Sequence, residues 1–457
     1  MIAKFPLLLL FPVLCLTPAA PVDAADFSFH RLGSAASGPT LLIIAGVDGD
    51  EPGGFHAAAT LVTRYRIEQG QLWVVPNLSF ADILKRRRGT MNLKFATIDK
   101  HDRYYSQVRR IQAIISQPKV DLVLNLHDGS GFYHPTRIDS QRNPDRWGQC
   151  FVIDQTHIDA SPFGALEQRV AAARDRLNQQ IAAKDHQFQL KNARTHTLAS
   201  TAPARQSLTY FATRQNKPAL AIEASKTDPV HLRSYYHLLA LETFMDIAGI
   251  AYQRDFPLTP AGVAQVIAAD GRLELAEGRI QLRLSNMRPQ LDQFPLPKAK
   301  PAEFSAANPL ITLQPVKQRY RIHYGNNRLA YLNPQPVELD RNLAQISMVI
   351  DGVEQQVELG SVIPVADSFR IEPPPTYRAN VIGYAGANND DSGLIVEQKQ
   401  LLRRYSIDRE GQRYRVEIYQ DEKFSGMVLV DFDHGEEEAE NWLASQAQPK
   451  MGREQNN

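Results

Sequence analysis

Three side chains in this 457-residue sequence have the types and positions needed to hold a metal ion. Asp48 and Glu51 lie three residues apart in a glycine-rich segment after an apolar run, and His127 ends another such run. In a tight turn, this spacing lets both carboxylates face one ion, with the imidazole as a third ligand. Asp50 competes with Asp48 as a ligand, and the spacing to Glu51 favours Asp48.

A further acid, Glu223, follows a third apolar run and completes a pattern typical of metal-dependent hydrolysis. Zinc in such sites has three protein ligands and leaves one position open for water. Glu223 would remain off the metal and accept a proton from that water as the general base. The sequence therefore predicts one Zn²⁺ held by Asp48, Glu51 and His127, with Glu223 as the catalytic group.

Each of these residues also has a purely structural interpretation. The acidic segment could cap a helix, because carboxylates are favoured at helix N-termini. His127 alone could be a core histidine, and Glu223 could form a salt bridge with Lys226. Ser130 lies in a D-G-S-G segment that lacks the glycine spacing of a nucleophile elbow, which disfavours a serine hydrolase. The convergence of the metal-binding residue types favours the metal interpretation.

The elements that must position these residues alternate between short apolar runs and helical patterns up to residue 252. The predicted strands are residues 40–45, 72–76, 120–126, 151–154 and 219–222, and the predicted helices are residues 54–65, 103–116, 162–183 and 230–248. This alternation predicts an α/β fold with a mainly parallel mixed sheet between helices. Ligands bind at the carboxyl ends of parallel strands, so the candidate residues should meet at one edge of the sheet.

The composition changes after residue 252, where prolines become more frequent and the apolar runs shorten and alternate. This pattern predicts an all-β region of one or two small barrels or sandwiches, with a boundary near residue 335. We expect a small β-barrel at residues 253–335 and an immunoglobulin-like β-sandwich at residues 336–434. The α/β domain would then span residues 26–252. The polar stretch 435–457 is predicted to be a flexible tail.

The N-terminal segment predicts export from the cytoplasm. A short apolar run follows Lys4 and ends before several alanines, so residues 1–25 are predicted to be a cleaved signal peptide. Cys15 follows a leucine, whereas a lipoprotein would have a small residue there, so we expect no membrane anchor. Removal of the signal leaves Cys150 as the single cysteine, which excludes an internal disulfide and a zinc site built from several cysteines.

The charge balance excludes one broad class of partner. The chain has 51 Lys plus Arg and 50 Asp plus Glu. A general nucleic-acid binder would show a basic excess, so no nucleic-acid partner is expected.

The segments that carry the candidate residues resemble zinc carboxypeptidases related to carboxypeptidase A. G-D-E-P-G-G-F, M-N-x-K-F-A, L-H-D-G-x-G-F and E-A-S-K are most similar to the murein tripeptide carboxypeptidases that set cell shape in helical and curved bacteria. The resemblance is dense over residues 40–230. It implies a periplasmic D,L-carboxypeptidase that trims the peptidoglycan stem, a muramyl tripeptide, to a dipeptide by releasing meso-diaminopimelate.

The same resemblance implies the residues of a substrate pocket. They are Arg88, Asn92, Trp147, Thr209 and Lys226. Clustered cations suit a substrate that carries several carboxylates, because arginine binds a carboxylate through two parallel hydrogen bonds.

Two positions depart from the family pattern. Asp48 stands where the family has His and the subgroup tends to have Gln, which leaves the zinc site without formal charge. A more electron-rich metal is a weaker Lewis acid, so we expect either a higher pH optimum or a weakened enzyme. Leu93 stands where an arginine would bind the terminal carboxylate of the substrate. The residues that could replace its charge are Arg86, Arg87, Arg88 and Lys94.

These departures motivate an alternative, a catalytically weakened or inactive murein-binding scaffold protein of the same fold. A third possibility keeps the zinc and changes the substrate to a small acyl-amino acid, as in related deacylases. The long β region and the subgroup motifs weigh against it.

Overall fold

The computed structural model describes residues 27–33, 38–159, 162–195, 204–385 and 389–433. The predicted signal peptide and the predicted tail lie outside these residues. Within the described ranges, no helix combines the length and the apolar character that a membrane span requires.

The N-terminal half alternates strands and helices, as its apolar runs predict. Its strands are β1 His30–Gly33, β2 Thr40–Ile44, β3 Tyr65–Gln69, β4 Gln71–Val75, β5 Leu122–Gly129, β6 Phe132–Tyr133, β7 Arg142–Asn143, β8 Cys150–Ile153, β9 Gln189–Asn192, β10 Ala219–Ser225 and β11 Ala251–Arg254. Its helices are α1 Pro52–Arg64, α2 Phe80–Lys85, α3 Tyr105–Ile115, α4 Leu166–Asn178, α5 Leu208–Arg214, α6 Val230–Ala248 and α7 Pro260–Ala269.

A seven-stranded sheet organises this half in the order β1-β4-β2-β5-β10-β8-β9. Strands β4, β2, β5 and β10 pair in parallel, whereas β1 and β8 pair antiparallel with their neighbours β4 and β10. Consecutive residues of β2 enter different cores, Leu41 on one face and Leu42 on the other. Helices α1, α4 and α6 cover the first face, and α3 and α5 cover the second. The predicted α/β fold with a mainly parallel mixed sheet is confirmed.

One predicted helix, residues 162–183, is too long at both ends. Helix α4 spans only Leu166–Asn178. The Asn178 side chain accepts a hydrogen bond from the Phe188 backbone N–H at 2.7 Å and donates one to the Phe188 carbonyl at 2.9 Å. This contact ties the end of α4 to the segment before β9, which turns the chain back to the sheet edge. The prediction missed it because it depends on a residue ten positions away.

The C-terminal half consists of strands. They are β12 Arg272–Leu275, β13 Ile280–Arg283, β14 Gln290–Pro297, β15 Phe304–Ser305, β16 Ile311–Val316, β17 Arg319–Tyr324, β18 Asn327–Leu339, β19 Gln345–Ile350, β20 Val353–Glu358, β21 Val362–Pro364, β22 Ser368–Glu372, β23 Arg378–Val381, β24 Ile395–Glu397, β25 Arg413–Gln420 and β26 Lys423–Asp431. Strands β16 to β18 continue into β26, β25 and β23 as one sheet, joined where Glu338 and Leu339 pair with Lys423 and Phe424. A separate four-stranded sheet has the order β20-β19-β22-β24.

The β17–β18 turn packs against the α/β half beside the candidate residues. The Arg86 guanidinium donates to Asn327 Oδ1 at 2.9 Å, and the Asn326 amide reaches the Gly49 carbonyl at 3.5 Å. On the α/β side, Asn77 donates to the Pro309 carbonyl at 3.1 Å. The β17–β18 turn therefore packs against the turn that carries Asp48 and helps to hold it in place.

Candidate metal centre

The turn between β2 and α1 presents two acids at the carboxyl edge of the sheet. Its backbone is fixed from α2 and the residues around it, with the Gly49 N–H donating to the Arg87 carbonyl at 3.0 Å and the Ser79 N–H to the Gly46 carbonyl at 2.7 Å. A Cβ on Gly49 would lie 2.2 Å from the Asp82 carbonyl, so only glycine allows this approach. Pro52 then begins α1, where proline costs no helical hydrogen bond.

The structure brings Asp48, Glu51 and His127 together. One ligand atom from each lies within 4.8 Å of the other two. His127 Nδ1 is 2.8 Å from Glu51 Oε2 and 3.8 Å from Asp48 Oδ2, and all three residues are buried. Asp50 instead pairs with Lys226, at 2.7 Å.

The donor set fits a divalent metal ion. Both carboxylate oxygens of Asp48 are buried and have no hydrogen-bond partner among the described residues. A buried carboxylate that accepts no hydrogen bond is costly, and a cation between it, Glu51 and the imidazole would remove that cost. Two carboxylates and one imidazole are ligands that zinc accepts.

Glu223 lies beside this cluster on the next strand. In the parallel pairing of β10 with β5, Glu223 is the register partner of His127. Its carboxylate accepts no hydrogen bond from the described residues. Burial raises the pKa of Glu223 to about 8, which suits a group that takes up and returns a proton.

The buried acids also shift one another's titration. Burial, followed by the nearby Glu51, raises the pKa of Asp48. Burial alone would lower the pKa of His127, but the carboxylates of Glu51, Glu223 and Asp48 together outweigh it and raise that pKa to about 9. A divalent cation would act in the opposite direction, because it favours ionised carboxylates and a neutral imidazole.

Of the predicted replacements for the arginine missing at Leu93, only Arg88 extends toward the cluster. Arg88 Nε is 3.8 Å from Asp48 Oδ2, and its side chain is 68% exposed. Arg87 pairs with the buried Asp82 at 2.7 Å. Lys94 pairs with Asp102 at 2.8 Å. Arg86, as described above, is bound to the β17–β18 turn.

The other predicted pocket residues have contacts of their own. Asn92 Oδ1 accepts from the Leu208 N–H at 3.1 Å, which fixes the start of α5. Thr209 follows in that helix and is buried. Trp147 is 41% exposed, and Lys191 Nζ lies 3.7 Å from the centre of one of its rings. Among the described residues, no hydrogen bond or ion pair joins Asn92, Lys94, Trp147 or Thr209 to the three-residue cluster.

Lys226 contacts two acidic residues of the turn between β2 and α1. Besides Asp50, its ammonium lies 3.3 Å from Glu51 Oε1. Lys226 therefore neutralises part of the acidic charge of the cluster.

Sequence reasoning missed Asp128, which connects the strand of His127 to the two helices packed against it. Its buried carboxylate accepts from the Gly53 N–H at 2.8 Å, Arg233 Nη1 at 2.7 Å and His237 Nε2 at 3.1 Å. These bonds tie β5 to the start of α1 and to α6. The signal was its position directly after His127, but its partners lie up to 109 residues away in sequence.

Two family models match parts of this chain. A family model described as "carboxypeptidase controlling helical cell shape catalytic" matches residues 14–268, and one described as "C-terminal domain of metallo-carboxypeptidase" matches residues 339–433. A search of curated proteins gives no match.

Several solved structures of the cell shape determinant Csd4 from Helicobacter pylori are similar to this chain. The product-bound form is 34% identical, covers 89% of this chain and 100% of its own, and has a TM-score of 0.77. The tripeptide-bound form has the same identity and coverage and a TM-score of 0.76. The mDAP-bound form, described as a D,L-carboxypeptidase, is 34% identical with coverages of 88% and 99% and a TM-score of 0.77. The chain belongs to the family of metallo-carboxypeptidases that control helical cell shape.

Proposed function

We propose that this protein is a zinc-dependent D,L-carboxypeptidase of the periplasm that releases meso-diaminopimelate from the end of a peptidoglycan stem tripeptide. The observation that carries the proposal is the buried cluster of Asp48, Glu51 and His127 with Glu223 in register beside it. The tripeptide and mDAP bound in the Csd4 structures support the same substrate class.

Asp48, Glu51 and His127 would hold the zinc ion. When bound, the ion would supply Lewis acidity at the scissile carbonyl and stabilise the negative charge that develops there. Lys226 would keep Glu51 in place through its contact at 3.3 Å. Asp128 would keep the turn fixed against β5 through its bond to Gly53.

Glu223 would act as the general base and then as the general acid. It would accept a proton from the attacking water while the water oxygen bonds to the amide carbon. It would then return the proton to the amide nitrogen as the C–N bond breaks, which releases the terminal amino acid. Its position in register with His127 on the neighbouring strand places it beside the metal ligands for this role.

Arg88 would bind the terminal carboxylate of the substrate, since its side chain is exposed and lies beside Asp48. The other candidate cations, Arg86, Arg87 and Lys94, are bound to other residues. Asn92, Lys94, Trp147, Thr209 and Lys226 are the remaining proposed pocket residues. Of these, Trp147 has the most open surface for a substrate. Asn92 would contribute indirectly, through the start of α5.

The test is Glu223→Gln, which keeps the shape of the side chain and removes its basic function. We expect the zinc content to remain at one ion per chain and release of diaminopimelate from a muramyl tripeptide to fall at least about 100-fold. The matched control, Glu68→Gln, alters an exposed acid on β3 and should retain full activity. Wild-type activity in the Glu223 variant would refute the assignment.

The alternative is a wall-binding protein with weak or no catalysis. The observation that favours it is Leu93, 49% exposed where the family pattern has an arginine. Wild-type protein that binds zinc and muramyl tripeptide but releases no amino acid would support this alternative. Turnover of the tripeptide would exclude it.

A further inference from the structure

Strand β25 has an unusual polar face that includes none of the candidate metal-site residues. Tyr414, Val416 and Ile418 enter the core of the last β segment. The alternate residues Arg415, Glu417 and Tyr419 point to the opposite face, yet they are also buried, at 6%, 2% and 5% exposure. A strand face that carries charges is normally solvated, so a buried one needs an explanation.

These three side chains form a connected array. Tyr419 donates to Glu417 Oε2 at 2.7 Å, and Glu417 Oε1 lies 3.0 Å from Arg415 Nε. Arg415 also donates to the Asp292 carbonyl at 2.9 Å. That carbonyl lies in an irregularity of β14, where Gln293 has a φ of +47°. A buried ion pair adds little to the stability of a protein, so stability alone does not account for this array.

The array forms one wall of a cleft with a volume of about 840 Å³ between β14 and β18 on one side and β23 and β25 on the other. This volume lies in the range of ligand sites. Asn380 and Arg378 of β23 extend the same wall, because they are the register partners of Glu417 and Tyr419. None of the proposed catalytic or metal-binding residues lines the cleft.

The lining identifies the chemistry of the ligand. Five acidic and five basic residues line the cleft, so a strongly anionic or cationic polymer gains little there. Four side-chain amides add paired donors and acceptors. At the rim, Tyr405 is 44% exposed, with the Arg404 guanidinium 4.9 Å from its ring centre, and the exposed part of the ring can contact an apolar ring face of a ligand. Planar polar groups beside a partly exposed aromatic ring suit a neutral ligand rich in hydroxyl and amide groups.

We propose that this cleft binds the N-acetylated glycan strand of peptidoglycan. This inference rests on the proposed function, because that function makes the glycan the polymer attached to the substrate peptide. A glycan held in the cleft would keep the enzyme on the wall between cleavages. It would raise the effective concentration of stem peptides at the metal site without any contact to them.

The probe is a β-1,4-linked hexamer of N-acetylglucosamine, titrated into the full chain by calorimetry. We expect saturable binding to wild type and at least a tenfold loss of affinity in both Tyr405→Ala and Asn380→Ala. Both residues lie outside the buried cores, and thermal unfolding would confirm that the variants fold. The matched control is Tyr105→Ala, an exposed tyrosine on α3, which should bind the hexamer as wild type does.

No saturable binding to wild type, or equal binding by the cleft variants, would overturn the inference. Displacement of the hexamer by a free stem tripeptide would also overturn it, since the occupant would then be peptide. The measurement requires no hydrolysis. A chain that binds the hexamer but leaves tripeptides intact would refute the proposed function alone, and the reverse result would refute the cleft alone.

Discussion

The side-chain amide of Asn125 lies 2.8 Å from Nε2 of His127, on the opposite side of the imidazole from Glu51. Nδ1 is the nitrogen that faces the two acids. An imidazole that binds a metal through Nδ1 carries its proton on Nε2, so the amide must turn its oxygen toward the ring. Asn125 Nδ2 is the atom that now faces Nε2, and Oδ1 has no hydrogen-bond partner among the described residues, so a flip that exchanges the two atoms breaks no bond of Oδ1.

Asn125→Leu should therefore weaken zinc binding by about 10- to 100-fold, because the imidazole loses the group that fixes its tautomer. Asn125→Asp should retain or improve the affinity, since a carboxylate accepts the same proton. Competition with a chelating dye measures both affinities. Equal affinity in wild type and the leucine variant would contradict the role of Asn125.

Asp48→Asn should have opposite effects with and without metal. In EDTA, the variant should be more stable by about 1 kcal/mol, because a neutral amide replaces a buried carboxylate that accepts no hydrogen bond and lies beside the like-charged Glu51. Added zinc should raise the melting temperature of wild type more than that of the variant, since a charged ligand has been lost. Thermal unfolding with EDTA and with zinc tests both signs, and a variant less stable in EDTA would contradict the first.

Loss of Arg88 should weaken substrate binding, whereas loss of its neighbour Arg87 should lower the stability of the fold. Arg88→Ala should raise KM for a tripeptide by roughly 10- to 100-fold, the value of one charged hydrogen bond, with little change in stability. Arg87→Ala removes a partner of the fully buried Asp82 and should lower the melting temperature instead. Steady-state kinetics and thermal unfolding of both variants separate the two roles. An unchanged KM in Arg88→Ala would exclude Arg88 as the carboxylate ligand.

His323 should make the protein less stable in mild acid. Burial, helped by Arg321, lowers its pKa from 6.5 to about 4, and neither ring nitrogen has a hydrogen-bond partner among the described residues. Between those two pH values the unfolded chain takes up a proton that the folded chain does not. The free energy of unfolding should therefore fall as the pH falls through this window, by about 1.4 kcal/mol per pH unit for this one group.

His323→Leu should reduce the slope of the free energy of unfolding against pH, by an amount that corresponds to at most one proton. Denaturant unfolding in EDTA at several pH values between 4 and 7 gives the slope for each variant. His101→Leu, a change at an exposed position, serves as the control and should leave the slope as in wild type. An identical slope in wild type and His323→Leu would contradict the prediction.

The fold of the α/β half was predictable because its signals are local. Helix α6 spans the predicted residues 230–248, and the predicted strand at residues 40–45 differs from β2 by one residue. The polar edge strand β9 was missed, since Gln189–Asn192 has no apolar pattern and is a strand only through its pairing with β8. The cluster of Asp48, Glu51 and His127 was predictable for a related reason. The carboxyl ends of neighbouring parallel strands lie at the same edge of the sheet, however far apart the strands are in sequence.

By itself, the sequence determined which residue types follow which strands, and therefore where a metal-binding cluster could form. Only the tertiary structure decided which charges stay available. Lys94 and Arg87 each pair with an acid, whereas Arg88 remains exposed beside Asp48. The tertiary structure also decided the environment of Arg415 and Glu417. Their alternation in the sequence of β25 is typical of a solvated strand face, but both are buried and Arg415 bonds to β14. The reason is physical: a periodic pattern depends on neighbouring residues, but the partner of a charged side chain depends on contacts between distant parts of the chain.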